Sequence, residues 1–317
     1  MRIRFIVYLL ISTTLLGCNQ SSKSKDYITI ATLKGPSAMG MIKLIDSLNQ
    51  ARDKSIRVEI LNEPIQVRKM VIDGTADFAI LPTTMAAILY NRGVDYKLAA
   101  IPVWGTLYLF GTDTTITRWE MLRGKTINLM AKGMTPDVLF KNLLIKNGVN
   151  PDTDVRLDYR FPTHIDLANA VAAGQATMGV ISEPLVSLVM ERNGNVKAIF
   201  DLNAEWQKVM DMPIAQTAFL VKGELIKTDK ELVDKILKSY EYSTQWVNHN
   251  PDCAAELIVK YDILPSVEVA RNSIPRLNLH FVRASSIQRE IESYLNVFYQ
   301  MNPDIVGGRL PDENFYQ

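Results

Sequence analysis

The chain has 317 residues, 47% hydrophobic, 22% charged and 8% aromatic, which excludes collagen-like, coiled-coil and disordered readings for its bulk. Thirty-five Lys and Arg oppose thirty-four Asp and Glu, so no global charge draws the chain toward nucleic acid or acidic lipid. Two cysteines and three histidines exclude a disulfide framework and a cysteine- or histidine-rich metal centre; no metal and no cofactor is expected. The length suggests about two domains, each able to bury its own core.

Residues 1–18 read as a targeting segment. Arg2 and Arg4 form a short basic region, and residues 5–16 form an apolar run too short for a membrane span of roughly 20. The run ends in Leu15-Leu16-Gly17-Cys18, which resembles a bacterial lipobox, the signal for diacylation of the cysteine and cleavage before it. Leu16 stands where a small residue is usual. The alternatives are an ordinary secretory signal or a short apolar anchor. The expectation is a signal peptide over 1–17, lipidation at Cys18 and a polar tether over 18–26. Acyl chains then hold the protein at a bacterial membrane, with the folded body in the periplasm or on the extracellular face.

From there, short apolar runs alternate with helical patterns, the mark of α/β lobes with largely parallel sheets. Residues 27–33 are strand-like, and Lys34-Gly35-Pro36-Ser37 is a turn. Ala38, Met41, Ile42, Ile45 and Leu48 follow helical spacing. A strand over 57–61, a helix over 65–73 stopped by Gly74, and a strand over 77–81 follow. Pro82-Thr83-Thr84 then opens a helix over 85–90. The same order returns about one hundred residues later. A strand over 126–131 and a turn over 132–136 precede a helix over 137–145. A helix over 165–173 ends at Gly174, and a strand over 177–181 follows. Ser182-Glu183-Pro184 then opens a helix over 185–190. This echo predicts two lobes built in one strand–turn–helix order. Beyond it, a strand over 217–222 and helices over 230–246, 252–261 and 287–299 are expected, with Asp252 and Ser286 as N-caps.

The segments ATLKGPSAMGM, DGTADFAILPT, WGTLYLFGTD and GKTINLMAKGMTPDVLFKNLLIKNGVNPDTDV carry a resemblance, through their order and spacing across residues 27–246. Together they resemble the solute-binding lipoproteins of ABC importers, in the group for nitrate, sulfonate, bicarbonate and thiamine-pyrimidine precursors. The resemblance implies a type II periplasmic-binding-protein fold, two α/β lobes joined by two crossings near 101–106 and 211–216. Lobe 1 is then expected over 27–105, lobe 2 over 106–213, and a return to lobe 1 with C-terminal helices over 214–317. It also implies a monomer that captures a small solute in the cleft and delivers it to a permease and its ATPase.

In such sheets, ligands sit where strands end and helices begin. Four turns qualify, two from each lobe. Gly35 and Gly133 let the backbone approach closely, and helix N-termini attract anions without a formal counter-charge. Ser37, Thr83, Thr84 and Thr135 offer hydroxyls, although N-capping is the commonest use of such residues. Lys34 and Lys132 either face the cleft or stand in solvent. Glu183 suits a ligand amine or pairs with an arginine. Trp104, at a crossing, stacks on a solute or packs in the core, and Gln216, Thr217 and Phe219 sit at the returning crossing. The expected solute is a small organic anion or a polar heterocycle.

Catalytic readings are poor. Gly124-Lys125-Thr126 imitates the end of a phosphate-binding loop, but Trp119 stands where that motif needs glycine. A pyrimidine-precursor enzyme on the same fold is the alternative, yet lone Cys253 does not match the cysteine-rich segment of those relatives. A ligand-sensing lipoprotein is the third reading.

Overall fold

The computed structural model describes residues 27–51 and 54–317; the expected signal peptide, Cys18 and the tether fall outside them. β1 (Ile28–Leu33), α1 (Pro36–Gly40), α2 (Ile42–Gln50), β2 (Ile56–Leu61), α3 (Pro64–Ile72), β3 (Phe78–Pro82) and α4 (Thr83–Asn91) come first. β4 (Tyr96–Trp104) and β5 (Leu107–Gly111) carry the chain into a second sheet. There β6 (Thr126–Asn128), α5 (Thr135–Lys146), β7 (Arg156–Asp158), α6 (His164–Ala172) and β8 (Met178–Ser182) follow. α7 (Leu185–Arg192), β9 (Lys197–Asp201) and α8 (Leu202–Met210) complete that lobe. β10 (Ala215–Lys222) returns to the first sheet, followed by α9 (Gly223–Thr228), α10 (Lys230–His249) and α11 (Pro251–Lys260). α12 (Val267–Ser273), a 3-10 turn at Ile274–Arg276, β11 (Leu279–Arg283) and α13 (Gln288–Met301) end the main body.

The sheets are mixed, where the sequence suggested largely parallel ones. The first has the order β11-β4-β10-β3-β1-β2 and the second β7-β6-β8-β5-β9. β1 runs parallel to β2 and β3, and β6 to β7 and β8, as strand–helix–strand units require. The strands next to the crossings reverse this: β10 lies antiparallel to β3 and β4, and β5 antiparallel to β8 and β9. A strand that enters a sheet from the other lobe runs against the strands that end at the cleft.

The echo at one hundred residues is a structural correspondence. Gly74 (φ 66) and Gly174 (φ 72) both hold the left-handed conformation that ends a helix. Thr75 N–H donates to the Met70 carbonyl at 2.9 Å and Gly74 N–H to Val71 at 3.1 Å. Gln175 N–H donates to Ala170 at 2.8 Å and Gly174 N–H to Val171 at 3.1 Å in the same pattern. The helix starts correspond as well. Glu63 and Gln66 form a reciprocal cap on α3, and the Thr163 hydroxyl accepts from Asp166 N–H on α6.

Some local expectations fail. The helix expected through 38–48 is broken at Met41 into α1 and α2. The strand expected over 126–131 has three residues, and the chain turns at Ala131 (φ 51). Asn250 and Ile287, not Asp252 and Ser286, hold the N-cap positions of α11 and α13.

One apolar cluster runs unbroken along both sheets, holding Ala31, Leu81 and Leu98 from the first and Leu109, Ile127 and Val180 from the second. Separate clusters cover the opposite faces. Ile30, Phe78 and Phe219 pack under α1, α10 and α12 in lobe 1, and Phe110, Leu167 and Val186 pack in lobe 2. Burial of these faces is the main favourable term for each lobe.

Buried Asp46 ties α2 to α11. Its carboxylate accepts from Lys260 Nζ and Tyr261 OH, each at 2.9 Å, and from Gln50 Nε2 at 2.7 Å. Burial opposes its ionisation, but hydrogen bonds from Lys260 and Tyr261 outweigh that and hold the carboxyl below its ordinary value. Asp46→Asn is expected to cost about 1–3 kcal/mol at neutral pH. A depressed carboxylate stabilises above its unfolded value, about pH 4, and loses that contribution as pH falls through the folded value. The difference in melting temperature between wild type and variant should therefore shrink below about pH 4. A pH-independent difference would rule out the ionised carboxylate as its source.

Candidate functional site

The two crossings lie side by side. Gly105 N–H donates to the Ile214 carbonyl at 3.0 Å, and Thr106 N–H to Gln216 Oε1 at 2.6 Å. Gln216 Nε2 donates back to Thr106 Oγ1 at 2.8 Å. β3 and β8 both end at this seam, for Pro82 pairs in register with Thr217 and Ser182 with Leu107. β1 and β6 run parallel to them, so the carboxyl ends of four strands converge on one cleft between the lobes.

Two of the expected binding residues meet across that cleft. Thr84, in the first turn of α4, and Thr135, the first residue of α5, come from opposite lobes, and their hydroxyls lie 2.9 Å apart. Thr83 instead faces the seam and donates to the Ala215 carbonyl at 2.6 Å. Ser37 is buried in the first turn of α1, where its carbonyl accepts from Tyr240 OH at 2.9 Å. Neither Ser37 nor Thr135 is an N-cap: Gly35 and Met134 hold those positions. Gly35 has φ 140, and a methyl group there would meet nothing, so backbone conformation rather than crowding calls for glycine.

The charged expectations need correction. Lys34 is exposed, 3.6 Å from the solvated Asp262 carboxylate, and exposed Lys132 lies 5.4 Å above the Tyr159 ring. Glu183 is not a free carboxylate awaiting an amine. It is 1% exposed and accepts from Arg276 Nε at 2.6 Å, Ser187 Oγ at 2.9 Å and Ser187 N–H at 3.0 Å. Burial pushes its carboxyl up, and the Arg276 charge and the Ser187 bonds work against that. Trp104 is 8% exposed, and its indole N–H donates to the His280 carbonyl at 2.6 Å. It packs in the core rather than standing ready to stack.

Asp137 changes the electrostatics of lobe 2. It lies buried in the first turn of α5 and accepts from Gly133 N–H at 2.7 Å, Tyr159 OH at 2.6 Å and Lys141 Nζ at 3.1 Å. The Gly133 N–H, at the turn expected to approach a solute closely, is therefore bonded to the chain's own carboxylate. Burial, and then Asp137, push the Tyr159 hydroxyl up, so it stays protonated and donates. Asp137 sits at the third position of α5, which starts two residues before the helix expected over 137–145, so its contact with Gly133 was not legible in the sequence.

Two further hydroxyls lie at the cleft ends of lobe 1. Thr32 continues the face of β1 that carries Ile30, and Thr217 continues the face of β10 that carries Phe219. Both are buried, and neither hydroxyl has a partner in the protein. Thr32 is a hydroxyl on an otherwise apolar strand face, a signal the sequence did contain. Arg276 had none, since it meets Glu183 across 93 residues of chain.

Residues 36–248 match the family model for the periplasmic substrate-binding protein of phosphonate ABC transporters. The chain belongs to that family of substrate-binding proteins. Its fold is shared with a crystal structure of an ABC transporter protein from Parabacteroides distasonis, at 25% identity and TM-score 0.78, covering 92% of this chain and 99% of that one. The periplasmic aliphatic sulphonate binding protein SsuA from Escherichia coli matches at 15% identity and TM-score 0.71, with 91% and 93% covered. The periplasmic nitrate-binding protein NrtA from Synechocystis PCC 6803 matches at 13% and 0.62, with 89% and 84% covered. No functionally curated protein is similar enough to match. The family is one of substrate-binding proteins of ABC transporters rather than of enzymes, which stands against the pyrimidine-enzyme alternative. Among the described residues no helix is long and apolar enough to cross a membrane.

In a substrate-binding protein the crossings carry the motion between lobes. Gly105 has no room for a side chain: a Cβ there would fall 2.4 Å from Asn203 Oδ1 and 2.6 Å from Asn203 Cβ. Gly105→Ala must push α8 or the seam apart, at an expected cost of about 1–3 kcal/mol in denaturant unfolding. An unchanged midpoint would mean that Asn203 swings aside freely.

Proposed function

We propose that this chain is the lipid-anchored receptor of an ABC importer, and that its cleft takes a small oxyanion-bearing solute or a polar heterocycle. The observation that carries this is the meeting of Thr84 and Thr135, hydroxyls from opposite lobes within hydrogen-bond reach. A solute that rests against this pair, or takes over their mutual hydrogen bond, touches both lobes at once and so favours closure by differential contact. Ser37, Thr32 and Thr217 extend the same neutral lining in lobe 1.

The recognition is by neutral donors. Glu183 and Asp137 are matched within the protein, and Lys34 and Lys132 stand in solvent. Hydroxyls and backbone N–H groups bind an oxyanion or a ring acceptor without a formal cation. This supports methylphosphonate, an alkanesulfonate, nitrate or an aminopyrimidine as first probes.

Thermal melting against those four compounds tests the reading. A solute at about one hundred times its dissociation constant adds roughly 2.7 kcal/mol, a shift of several degrees. Thr135→Val removes one hydroxyl, so it should weaken the positive compound about tenfold while moving the ligand-free melt by no more than about 1 kcal/mol. Equal affinity in the variant would take Thr135 out of the site. Native mass spectrometry showing no bound solute, together with a flat screen, would count against the receptor reading.

The anchor has its own test. Cys18→Ser should abolish incorporation of labelled fatty acid and release the protein from the membrane fraction, because Cys18 is the proposed acceptor. Equal labelling of the variant would place the lipid elsewhere or nowhere.

A further inference from the structure

Beside the seam, where Glu183 N–H donates to the Thr106 carbonyl at 2.9 Å, the contact between the lobes continues as α7 meets α12 and the 3-10 turn at Ile274–Arg276. This part of the contact is charged. Arg276 gives Nε to Glu183 at 2.6 Å and Nη2 to Ser187 Oγ at 2.6 Å. Ser266 Oγ, at the start of α12, donates to Glu191 Oε1 at 3.2 Å. Leu188 of α7 packs on the apolar cluster of lobe 1, the same cluster that holds Val269, Ala270 and Ile274. Glu183, Ser187, Leu188 and Glu191 share one side of α7 and its leading turn, at helical spacing. A recess of about 340 Å3 lies beside the pair, lined by Glu191, Glu268, Asn272 and Arg276 among others.

The two partners differ in their surroundings. The Glu183 side chain is 0% exposed and that of Arg276 30%. Ser187 belongs to the same lobe as Glu183 and travels with it. Arg276 is the only cation bonded to that carboxylate among the described residues, and it comes from the other lobe. A buried carboxylate stripped of its cation is strongly disfavoured, whereas a partly exposed guanidinium stripped of its carboxylate is still hydrated.

We propose that Arg276 is the positioning residue that holds the two lobes shut, by neutralising a carboxylate that only the closed arrangement buries. Separation of α7 from α12 lets water reach Glu183 and Arg276 separately, so the ion pair and its desolvation nearly cancel in the intact protein. The balance leaves the clasp easy to open and easy to close. Removing Arg276 alone breaks the balance in favour of opening; removing the carboxylate alone does not. The proposal rests on the two-lobe receptor reading, but not on which solute the cleft takes.

Distances between the lobes test it without any solute. Ile65 and Ile165, 59% and 60% exposed, stand at the start of α3 and α6 beside the edge strands β2 and β7. Spin labels at Ile65→Cys and Ile165→Cys, in the full-length chain with Cys18→Ser and Cys253→Ser, report lobe separation by pulsed electron resonance. The unchanged pair should give one short distance. Arg276→Met should raise the open-to-closed ratio about a hundredfold or more, with a cooperative melt retained. Glu183→Gln and Arg276→Lys should stay closed, and adding Glu183→Gln to Arg276→Met should restore much of the short distance. If Arg276→Met does not fold, the double variant and Arg276→Lys decide: both must be closed. An unmoved distance in folded Arg276→Met, a double variant as open as Arg276→Met, or an open Arg276→Lys would each overturn the proposal. A flat solute screen with these distances as expected would fault the receptor reading and leave the clasp standing.

Discussion

Two stretches of backbone pass between the lobes side by side, and each satisfies polar groups of the other. The Gly105 N–H and the Ile214 carbonyl would otherwise be buried unpaired, a loss comparable to a full hydrogen bond. The Thr106–Gln216 exchange does the same with side chains. Strand ends, helix starts and the cleft are all placed relative to this seam, because β3 and β8 terminate on it in register. An unbroken apolar cluster runs along both sheets and packs the two lobes against each other beside this seam.

The cleft handles charge economically. Two buried carboxylates beside it are matched within the protein: Asp137 by Gly133, Tyr159 and Lys141, and Glu183 by Arg276 and Ser187. On the proposed reading, a visitor meets hydroxyls and amides. Such a lining costs little to desolvate compared with ionised groups, and a solute that fails to satisfy it leaves buried donors unpaired.

The frame of the fold was legible because the signals were local. Gly74 and Gly174 announce left-handed helix ends, and the apolar periods on either side of them fix α3, β3, α6 and β8 to within a residue or two. The turns that open α4 and α5 were legible for the same reason, and so was the pairing of lobes that brings Thr84 to Thr135. The rest depended on distant partners. Whether Glu183 faces a solute or an arginine is decided by Arg276, 93 residues away. Whether Trp104 is free is decided by a carbonyl 176 residues away. β4, β9 and β11 are not among the strands expected from the sequence, and their antiparallel pairing follows from the route of the chain rather than from any residue within them.

Thr83 and Glu183 occupy the same place in the repeated strand–helix order, one residue past the strand, and each reaches outside its own unit. Thr83 is fastened to Ala215 at the seam, and Glu183, beside the seam, to Arg276. One position thus serves as a pivot pin in one lobe and as a catch in the other. The two jaws are alike in build but not in mechanics: both are fastened at the root, the first by a neutral bond and the second by a charged one whose partners must each be hydrated whenever they part.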